Sequence, residues 1–407
     1  MTPRPYQIAG RDFLAARRHA LLADEMRVGK TPQAILACAA LDVQRVIVVC
    51  PAIAVEQWRR EFVRWYKEAL GKDRAPDRYV CSYDHLRLNA DRLLAEKWDV
   101  AIVDEAHFAK NPEAQRTKLV YGKGGLGWCA DYLWALSGTP APKHAAELWP
   151  MLKAFGAVGM TYMEFVRYFC RYNDFTQRIE GTKEDKIPEL RAILAKVMLR
   201  RTRKEVAPDM PEIAFDFLEV APQKVDIKAP GLHGDKLLEW LEANPAANAE
   251  DRVAVAMAKV GPLSDEIAFA FANGLLKQTV CFGWHIEPLE KLAHVLGARG
   301  LRVGLITGKT GDAERQRVQA AFRAGELDAV VANILAAGTA IDLSAASHGY
   351  FLELWWVPGD NAQAANRLIS MDKHEPVSFD VVTWRGSVDD EIQRVLLQRA
   401  RELSKLY

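Results

Sequence analysis

The sequence predicts an α/β protein made of two lobes, each a parallel sheet covered by helices on both faces. Short apolar runs alternate with helical patterns, and this alternation occurs in two separate stretches of the chain. The length of 407 residues also suits two domains better than one. We therefore expect a first lobe over residues 1–220, a linker or small helical insertion over 221–274 and a second lobe over 275–407.

The apolar runs give the expected strands in order along the chain. Those of the first lobe are 20–23, 45–50, 100–104 and 133–137, and those of the second are 279–283, 302–306, 329–332, 350–354 and 379–383. Helical patterns at 288–296 and 313–323 separate strands of the second lobe, and 388–406 is expected to form a charged amphipathic helix that braces one lobe against another. Ligands of open parallel sheets bind beyond the carboxyl ends of the strands, so residues just after these runs are the candidates for a site.

Composition limits the class of protein. The formal net charge is +1, so any binding to nucleic acid must come from local basic surface. The six cysteines are far apart and form no C-x-x-C pair, which argues against a zinc site or a disulfide framework. The start MTPRPYQIAG has no targeting pattern and no apolar run approaches about twenty residues, so we expect a cytoplasmic protein without a membrane segment.

The segment LLADEMRVGKTPQAILACAA has the pattern of a strand, a loop and a helix, and its loop ends in Gly29-Lys30-Thr31. In a phosphate-binding loop, backbone N–H groups cradle the phosphates, the lysine reaches the β and γ oxygens, and the hydroxyl faces Mg²⁺. The first glycine of that motif is replaced by Asp24, so an ordinary strand-to-helix turn is the alternative. The candidate ATP-binding residues of this loop are Asp24, Glu25, Met26, Arg27, Val28, Gly29, Lys30 and Thr31.

A second apolar strand, DVAIVDEAH, ends in two adjacent carboxylates. Asp104 is the candidate Mg²⁺ ligand with Thr31, and Glu105 is the candidate that orients or deprotonates the attacking water. The alternative is that Asp104 only caps a helix, which a preceding phosphate loop disfavours. We expect His107 to couple this site to the Ser137-Gly138-Thr139-Pro140 turn, with a purely structural histidine as the alternative.

Eight blocks, two of which contain the motifs above, occur in an order and at a spacing that point to a known family. In the first lobe they are DEMRVGKT, VCPAIAVEQWRREF, DEAHFAKN, LSGTPAPKHAAELWPML and VMLRRTRKEV, and in the second ITGKTGDAERQRVQAAF, AAGTAIDLSAASHGYFLELWWVPGDNAQAANR and TWRGSVDDEI. These blocks resemble the Swi/Snf-type ATPases of helicase superfamily two. The resemblance covers nearly the whole chain. The segments ITGKT and LSAASHGYFLELWW are most similar to the annealing-helicase branch of that family.

The resemblance implies a helicase core of two RecA-like, P-loop NTPase lobes with ATP and Mg²⁺ between them. Such a motor tracks duplex or branched DNA, mainly through phosphates and without necessarily separating the strands. In the first lobe the resemblance assigns Gln7 to adenine, although a Pro-Tyr-Gln turn capping a helix would look the same. It assigns Ser137 and Thr139 to the link between hydrolysis and DNA.

The later motifs add candidates from the second lobe. By position, Gly338 and Asp342 fall in the motif that senses nucleotide and backbone, and Gln363 and Arg367 in the last motif, which faces the γ-phosphate. Arg367 therefore joins Lys30 and Glu105 as a catalytic candidate.

DNA contacts are implied at three short segments, 51–57, 82–84 and 309–310. Their candidate residues are Pro51, Gln57, Ser82, Tyr83, Lys309 and Thr310. The basic run over 200–204 is either a further contribution to DNA binding or a solvated charged face.

Two positions depart from the family pattern. The loop usually reads D-E-M-G-L-G-K-T, so Arg27 takes the place of a glycine, where a positive φ would strain it; we expect its side chain to point into solvent. In the last motif the second arginine becomes Ser370. An arginine finger is worth about 10³ to 10⁵ in turnover. Either hydrolysis is slow, or Arg367, Lys373 or Arg27 partly substitutes.

Three functions follow from these residues. The leading prediction is a DNA-stimulated ATPase that translocates on duplex or branched DNA, with strand reannealing as a further option. The second is an ATP-gated DNA-binding module that scarcely hydrolyses ATP, and the third is a strand-separating helicase. A monomer from a bacterium, phage or plasmid is expected from the size and the cysteine usage.

Overall fold

The computed structural model of the protein describes residues 2–71, 75–220, 245–337, 341–355, 357–370, 373–389, 392–394 and 396–397. These residues form two compact units that divide between Pro208 and Asp209. Each unit is built on a six-stranded sheet in which all paired strands run parallel. The predicted α/β class with two parallel-sheet lobes is confirmed.

The first unit contains strands β1 to β8. They are β1 His19–Leu22, β2 Arg45–Cys50, β3 Asp77–Ser82, β4 Trp98–Asp104, β5 Ala130–Leu136, β6 Cys170–Asn173, β7 Arg178–Thr182 and β8 Met198–Leu199. The parallel sheet has the order β3-β2-β4-β5-β1-β8, while β6 and β7 form a separate antiparallel hairpin. The sequence pattern missed β3, whose first residues are charged, the hairpin, and β8, which has two residues.

Helices cover this sheet because each has one apolar face. They are Pro5–Ala15, Lys30–Ala40, Val55–Arg64, Tyr83–Leu88, Ala90–Ala95, Gln115–Tyr121, Leu126–Cys129, Trp149–Ala154, Tyr162–Phe169, Ile187–Val197 and Arg203–Val206. Val55–Arg64, for example, buries Trp58 and Phe62 at i and i+4 and exposes its arginines. Tyr162–Phe169 begins at a capping box in which Thr161 and Glu164 bond each other's backbone N–H.

The second unit contains strands β9 to β14. They are β9 Ile213–Glu219, β10 Thr279–Gly283, β11 Val303–Ile306, β12 Ala329–Asn333, β13 His348–Phe351 and β14 Val377–Thr383, in the sheet order β11-β12-β10-β13-β14-β9. Its helices are Pro245–Ala272, Ile286–Ala298, Asp312–Arg323, Ile334–Ala337 and Pro358–Ala365. No described helix of either unit is long and apolar enough to cross a membrane.

The second unit begins earlier in the chain than the sequence suggested, because it includes strand β9. All seven of its residues pair in parallel with β14, from Ile213 beside Val377 to Glu219 beside Thr383. Residues 209–220, expected in the first lobe, therefore lie in the second unit. β9 was not predicted because it is an edge strand with mostly exposed positions, so its apolar alternation is weak.

The described part of the expected linker or insertion is a long helix. Pro245–Ala272 packs Val260, Leu263 and Ile267 into the core of the second unit, together with Leu289 of the next helix. Residues 221–244 lie outside the described residues. Of the predicted helix over 388–406, the described residues Val388, Ile392 and Leu396 are buried at spacings of four against Val255 of the long helix.

Candidate nucleotide-binding site

The phosphate-loop candidate follows β1, which lies between β5 and the edge strand β8 in the first sheet, and leads into Lys30–Ala40. Gly29 has the left-handed conformation, with φ of 83°, immediately before the helix. A Cβ at Gly29 would lie 2.9 Å from Nε2 of Gln7, so both backbone and space favour glycine. Arg27 has the positive φ expected of it, 66°, and its side chain is half-buried rather than solvent-exposed as we expected.

Lys30 spans the inside of this loop. Its Nζ donates to the carbonyl oxygens of Asp24 at 2.8 Å and Glu25 at 3.1 Å. Burial lowers the pKa of Lys30, while the carboxylates of Glu105, Asp24 and Asp104 act in the opposite direction. The ammonium is therefore held at the loop by neutral carbonyls in a region of negative potential.

The two adjacent carboxylates at the end of β4 are held firmly. Asp104 accepts hydrogen bonds from Nε1 of Trp58 at 2.7 Å and from the backbone N–H of Glu105 at 3.0 Å. Glu105 has a φ of 48°, an uncommon conformation that turns the chain sharply here. Burial, and then the charge of Glu105, raise the pKa of Asp104 to about 7. Two close carboxylates in a buried position fit a divalent cation, which would favour their ionised forms.

His107 links these carboxylates to the turn that follows β5. Its Nδ1 lies 3.1 Å from Oγ of Ser137 and 3.4 Å from Oε2 of Glu105. Burial lowers the pKa of His107 to about 4, so the ring is neutral at neutral pH. Oγ of Ser137 also accepts from the backbone N–H of Thr139 at 3.2 Å. The contact expected between His107 and this turn is present.

The turn itself packs against the phosphate-loop candidate. A Cβ added at Gly138 would lie 3.0 Å from Cγ of Met26 and 3.4 Å from Nζ of Lys30. Three segments distant in sequence thus meet at one edge of the sheet: the loop after β1, the carboxylates after β4 and the turn after β5. This is the edge at which parallel α/β sheets bind ligands.

Two arginines that the sequence assigned to DNA or to a solvated face instead support the loop. Arg201 makes two hydrogen bonds to the fully buried carboxylate of Asp24, at 3.0 and 2.5 Å, and also donates to Gln33 at 2.8 Å. Arg200 donates to the carbonyls of Ala23 at 3.0 Å and Gly138 at 3.1 Å. Parallel pairing of β8 with β1 brings both arginines to this edge, a neighbourhood that no local pattern reveals.

This arrangement corrects the expectation for the acidic residues of the loop. The carboxylate of Asp24 faces Arg201 and Gln33, so it stabilises the loop instead of contacting phosphate. Oε2 of Glu25 accepts from the backbone N–H of Arg203 at 2.8 Å. Backbone groups and Lys30 remain as the candidates for phosphate contacts.

Gln7 caps the first helix, as the alternative interpretation expected, and its assignment to adenine stays a prediction. Its Oε1 accepts from the backbone N–H of Arg4 at 2.9 Å and so caps Pro5–Ala15. Its Nε2 lies against Gly29, as described above. The capping residue is therefore also a neighbour of the phosphate loop.

The candidates for DNA contact differ in exposure. Gln57 and Lys309 are exposed, and Pro51 and Thr310 are half-buried. Oγ of Ser82 caps the helix Tyr83–Leu88 by accepting from the backbone N–H of His85 at 3.0 Å.

Tyr83 is a correction, because it lies beneath the carboxylate turn and not on the surface. Its side chain is buried, and its hydroxyl donates to the carbonyl oxygens of Asp104 at 2.8 Å and Glu105 at 3.3 Å.

In the second unit, the two later motifs contact each other. The backbone carbonyl of Arg367 accepts from Leu343 at 3.0 Å, and its buried guanidinium lies 3.4 Å from the carbonyl of Ile341. Asp342 lies 3.2 Å from Arg323, and Gln363 is half-buried on Pro358–Ala365. Gly338 lies outside the described residues.

Lys373, one of the candidates for replacing the missing arginine, is bonded within its own unit. Its Nζ donates to the carbonyl oxygens of Ser344 at 2.8 Å and Ala346 at 2.5 Å, and its side chain is buried. Burial also lowers the pKa of Lys373. Ser370 itself is half-buried and accepts from the backbone N–H of Lys373 at 3.2 Å.

Two family domains match the chain. Residues 6–230, more than half of the chain, match the SNF2-related domain, and residues 262–371 match the helicase conserved C-terminal domain. The solved Sulfolobus solfataricus SWI2/SNF2 ATPase core in complex with dsDNA aligns over 98% of this chain and 92% of that chain, with 20% identity and a TM-score of 0.45.

Curated relatives align over almost the whole chain. The SWI/SNF-related matrix-associated actin-dependent regulator of chromatin subfamily A-like protein 1 of Xenopus tropicalis is 27% identical over 434 residues, which cover 98% of this chain and 44% of the relative. The DNA annealing helicase and endonuclease ZRANB3 of Bos taurus is 26% identical over 438 residues, which cover 98% of this chain and 40% of the relative. The chain thus spans less than half the length of these relatives.

Proposed function

The chain belongs to the SNF2-related family, and from that premise we propose that it is a DNA-dependent ATPase that translocates on duplex or branched DNA. The observation that carries the proposal is the meeting of Lys30, the Asp104-Glu105 pair and the Ser137-Gly138-Thr139 turn at one sheet edge. The names of the relatives, one of them a DNA annealing helicase, support DNA as the partner.

Each residue has a definite task in this proposal. Backbone N–H groups of the loop bind phosphate, and Lys30 leaves its two carbonyl partners to contact the β and γ oxygens. Thr31 and Asp104 would hold Mg²⁺, which would supply positive charge to the transferred phosphoryl group. Glu105 orients the attacking water and accepts its proton.

The turn after β5 transmits the state of the site. Neutral His107 contacts both Glu105 and Ser137, so a change at the water-binding carboxylate alters the hydrogen bonding of the turn. Arg200 bridges the loop and the turn through two carbonyl oxygens, which makes the two segments move together. Ser137 and Thr139 then pass the change to DNA-contacting segments.

The test is ATP hydrolysis measured without nucleic acid and with single-stranded DNA, duplex and a fork. We expect duplex or fork to stimulate ATP hydrolysis by the wild type but not by Lys30→Ala. In the family motif this lysine is the side chain of the loop whose positive charge contacts phosphate. A wild type that hydrolyses ATP without any response to DNA would contradict the proposal.

A second function, an ATP-gated DNA-binding module with slow hydrolysis, is favoured by the surroundings of Ser370. No arginine stands at this position, and Lys373, one substitute considered for it, is bonded to two backbone carbonyls. Under this proposal Ser370→Arg raises the DNA-stimulated turnover, while ATP binding stays unchanged. An unaltered low rate in Ser370→Arg, with Lys30→Ala as the blank, argues against a missing arginine as the cause.

A further inference from the structure

The β6–β7 hairpin of the first unit carries a phenylalanine at its tip. The relative exposure of Phe175 is 101%, the highest of any large apolar side chain that the structure describes. The tip is nevertheless well fixed, since Oδ1 of Asn173 accepts from the backbone N–H of Phe175 at 3.0 Å and of Thr176 at 3.1 Å. A rigid turn thus presents a bare aromatic ring where burial would otherwise be favourable.

Basic side chains accompany this ring. Arg178 is exposed and stands directly opposite Asn173 in the strand register, next to the tip. Both acidic residues near the tip have partners: Asp174 forms a 2.6 Å ion pair with Arg167, and Oε1 of Glu180 accepts from Nδ2 of Asn173 at 2.9 Å. Exposed aromatic rings and basic side chains on one surface are the combination with which proteins hold unpaired nucleotides, through base stacking and phosphate contact.

The base of the hairpin is anchored close to the proposed ATPase site. The buried Oγ1 of Thr182 accepts from the backbone N–H of Ala145 at 2.9 Å. Ala145 begins the short 3₁₀ helix Ala145–Leu148, just after the turn that follows β5. Glu147 of this helix forms a 2.9 Å ion pair with Lys110, three residues beyond His107. The hairpin is therefore bonded to segments that flank the nucleotide-coupling residues.

We propose that Phe175 stacks on an unpaired or terminal nucleobase and that the hairpin directs the enzyme to branched or locally open DNA. Bases within a continuous duplex have both faces covered by their neighbours, so a single ring finds a free face only at a junction, a bubble or an end. The inference rests on the proposed DNA-dependent function and narrows its substrate from duplex or branched DNA to DNA that presents unpaired or terminal bases.

The experiment compares two DNA substrates that differ only in unpaired bases. One is a duplex closed by a covalent loop at each end through non-nucleotide linkers, and the other has the same sequence with a central bubble. Affinity is measured by fluorescence anisotropy, and ATPase stimulation by each substrate is measured in parallel. Phe175→Ala is expected to weaken binding to the bubble about 5-fold to 100-fold, the range for loss of base–aromatic stacking, and to leave binding to the closed duplex unchanged.

Two further variants complete the test. Phe175→Trp keeps a stacking surface and should bind the bubble like the wild type. Trp128→Ala removes an exposed aromatic side chain just before β5, at the amino ends of the strands and not at the carboxyl ends where the candidate site lies. It should change neither the affinity for the bubble nor the affinity for the closed duplex. Because Phe175 is fully exposed, its replacement should leave the thermal unfolding midpoint unaltered.

The outcomes separate the two proposals. Equal binding of wild type and Phe175→Ala to the bubble, or an equal loss on both substrates, overturns the stacking role while DNA-stimulated ATPase activity persists. A wild type that neither binds nor responds to either substrate overturns the proposed function itself.

Discussion

At the scale of single residues, Arg27 is a strained position inside the phosphate loop. Its φ of 66° is one that glycine adopts without penalty and residues with a Cβ rarely adopt. We predict that Arg27→Gly is more stable than Arg27→Ala by about 1 kcal/mol, because both remove the side chain and only alanine retains the strain. Urea unfolding of the two variants measures the difference, and equal stabilities would show that the loop relaxes around alanine.

His107 gives a pH dependence with a defined sign. Its pKa falls from 6.5 to about 4 on burial, so between these values the unfolded chain binds a proton that the folded chain does not. The stability contributed by the neutral ring is complete above pH 6.5 and is lost as the pH falls towards 4. The raised pKa of Asp104 has the opposite sign in an overlapping range, so a comparison of variants is needed.

We therefore predict that the unfolding midpoint falls less between pH 7 and pH 5 in His107→Asn than in the wild type. Asparagine cannot take up a proton but retains a polar group for the contact with Ser137. Thermal unfolding of both proteins at the two pH values is the measurement. A variant whose midpoint falls as much as that of the wild type would show that His107 is not the source.

The ion pair between Arg201 and Asp24 stabilises the phosphate-loop candidate. Because the aspartate is fully buried, removal of its partner leaves an uncompensated charge, which costs about 3 to 5 kcal/mol in comparable pairs. We predict that Arg201→Gln lowers stability by an amount of that order and weakens ATP binding, and that adding Asp24→Asn restores much of the stability. Calorimetry with ATP and chemical unfolding test both parts, and additive losses in the double variant would exclude the pairing as the cause.

At the scale of elements, β9 shows how an edge strand is held. Phe215 lies 5.9 Å from the ring of Phe379 in a stacked arrangement, whereas Phe217, two residues further, is 60% exposed. Phe215 is itself 48% exposed, so we predict that Phe215→Ala destabilises the second unit by about 0.5 to 1.5 kcal/mol, chiefly through lost aromatic packing. Phe217→Ala is the matched control and should cost less than about 0.5 kcal/mol, as exposed positions do. Hydrogen exchange along β14 would report both, and equal effects would contradict the assigned packing.

The same scale explains why the phosphate loop is well formed without its first glycine. Pairing continues past the end of β8, where Ala23 donates to Leu199 at 2.7 Å and Glu25 donates to Arg201 at 3.0 Å. The buried Asp24 is then held from the side by arginine. Asp24, which replaces the first glycine of the motif, therefore fixes the position of the loop through its bonds to Arg201.

At the scale of the whole molecule, the near-neutral charge bears on how DNA is bound. With a net charge of +1, long-range attraction is weak and affinity must come from local phosphate contacts. We predict a fall in duplex affinity of about a hundredfold or more between about 50 and 200 mM salt, as several phosphate contacts require. Anisotropy titrations at several salt concentrations give the slope, and a slope near zero would exclude phosphate-dominated binding.

Much of the molecule could be predicted from the sequence because the signals are local. Buried parallel strands such as β2 and β10 are continuous apolar runs, and their predicted bounds agree with the structure. The contact between His107 and Ser137 was expected from the DEAH segment that follows a phosphate-loop candidate, a motif that is itself local in sequence.

The α/β class, the two lobes and the segments that form the candidate site could all be predicted from patterns along the chain. Only the tertiary structure decided what Arg200, Arg201, Asp24 and Tyr83 contact, which unit contains β9, and that Phe175 stands exposed at a hairpin tip. The physical reason is that charge pairing and burial depend on neighbours brought together by parallel strand pairing across more than a hundred residues of chain. Periodicity and motif spacing report only what lies nearby along the chain.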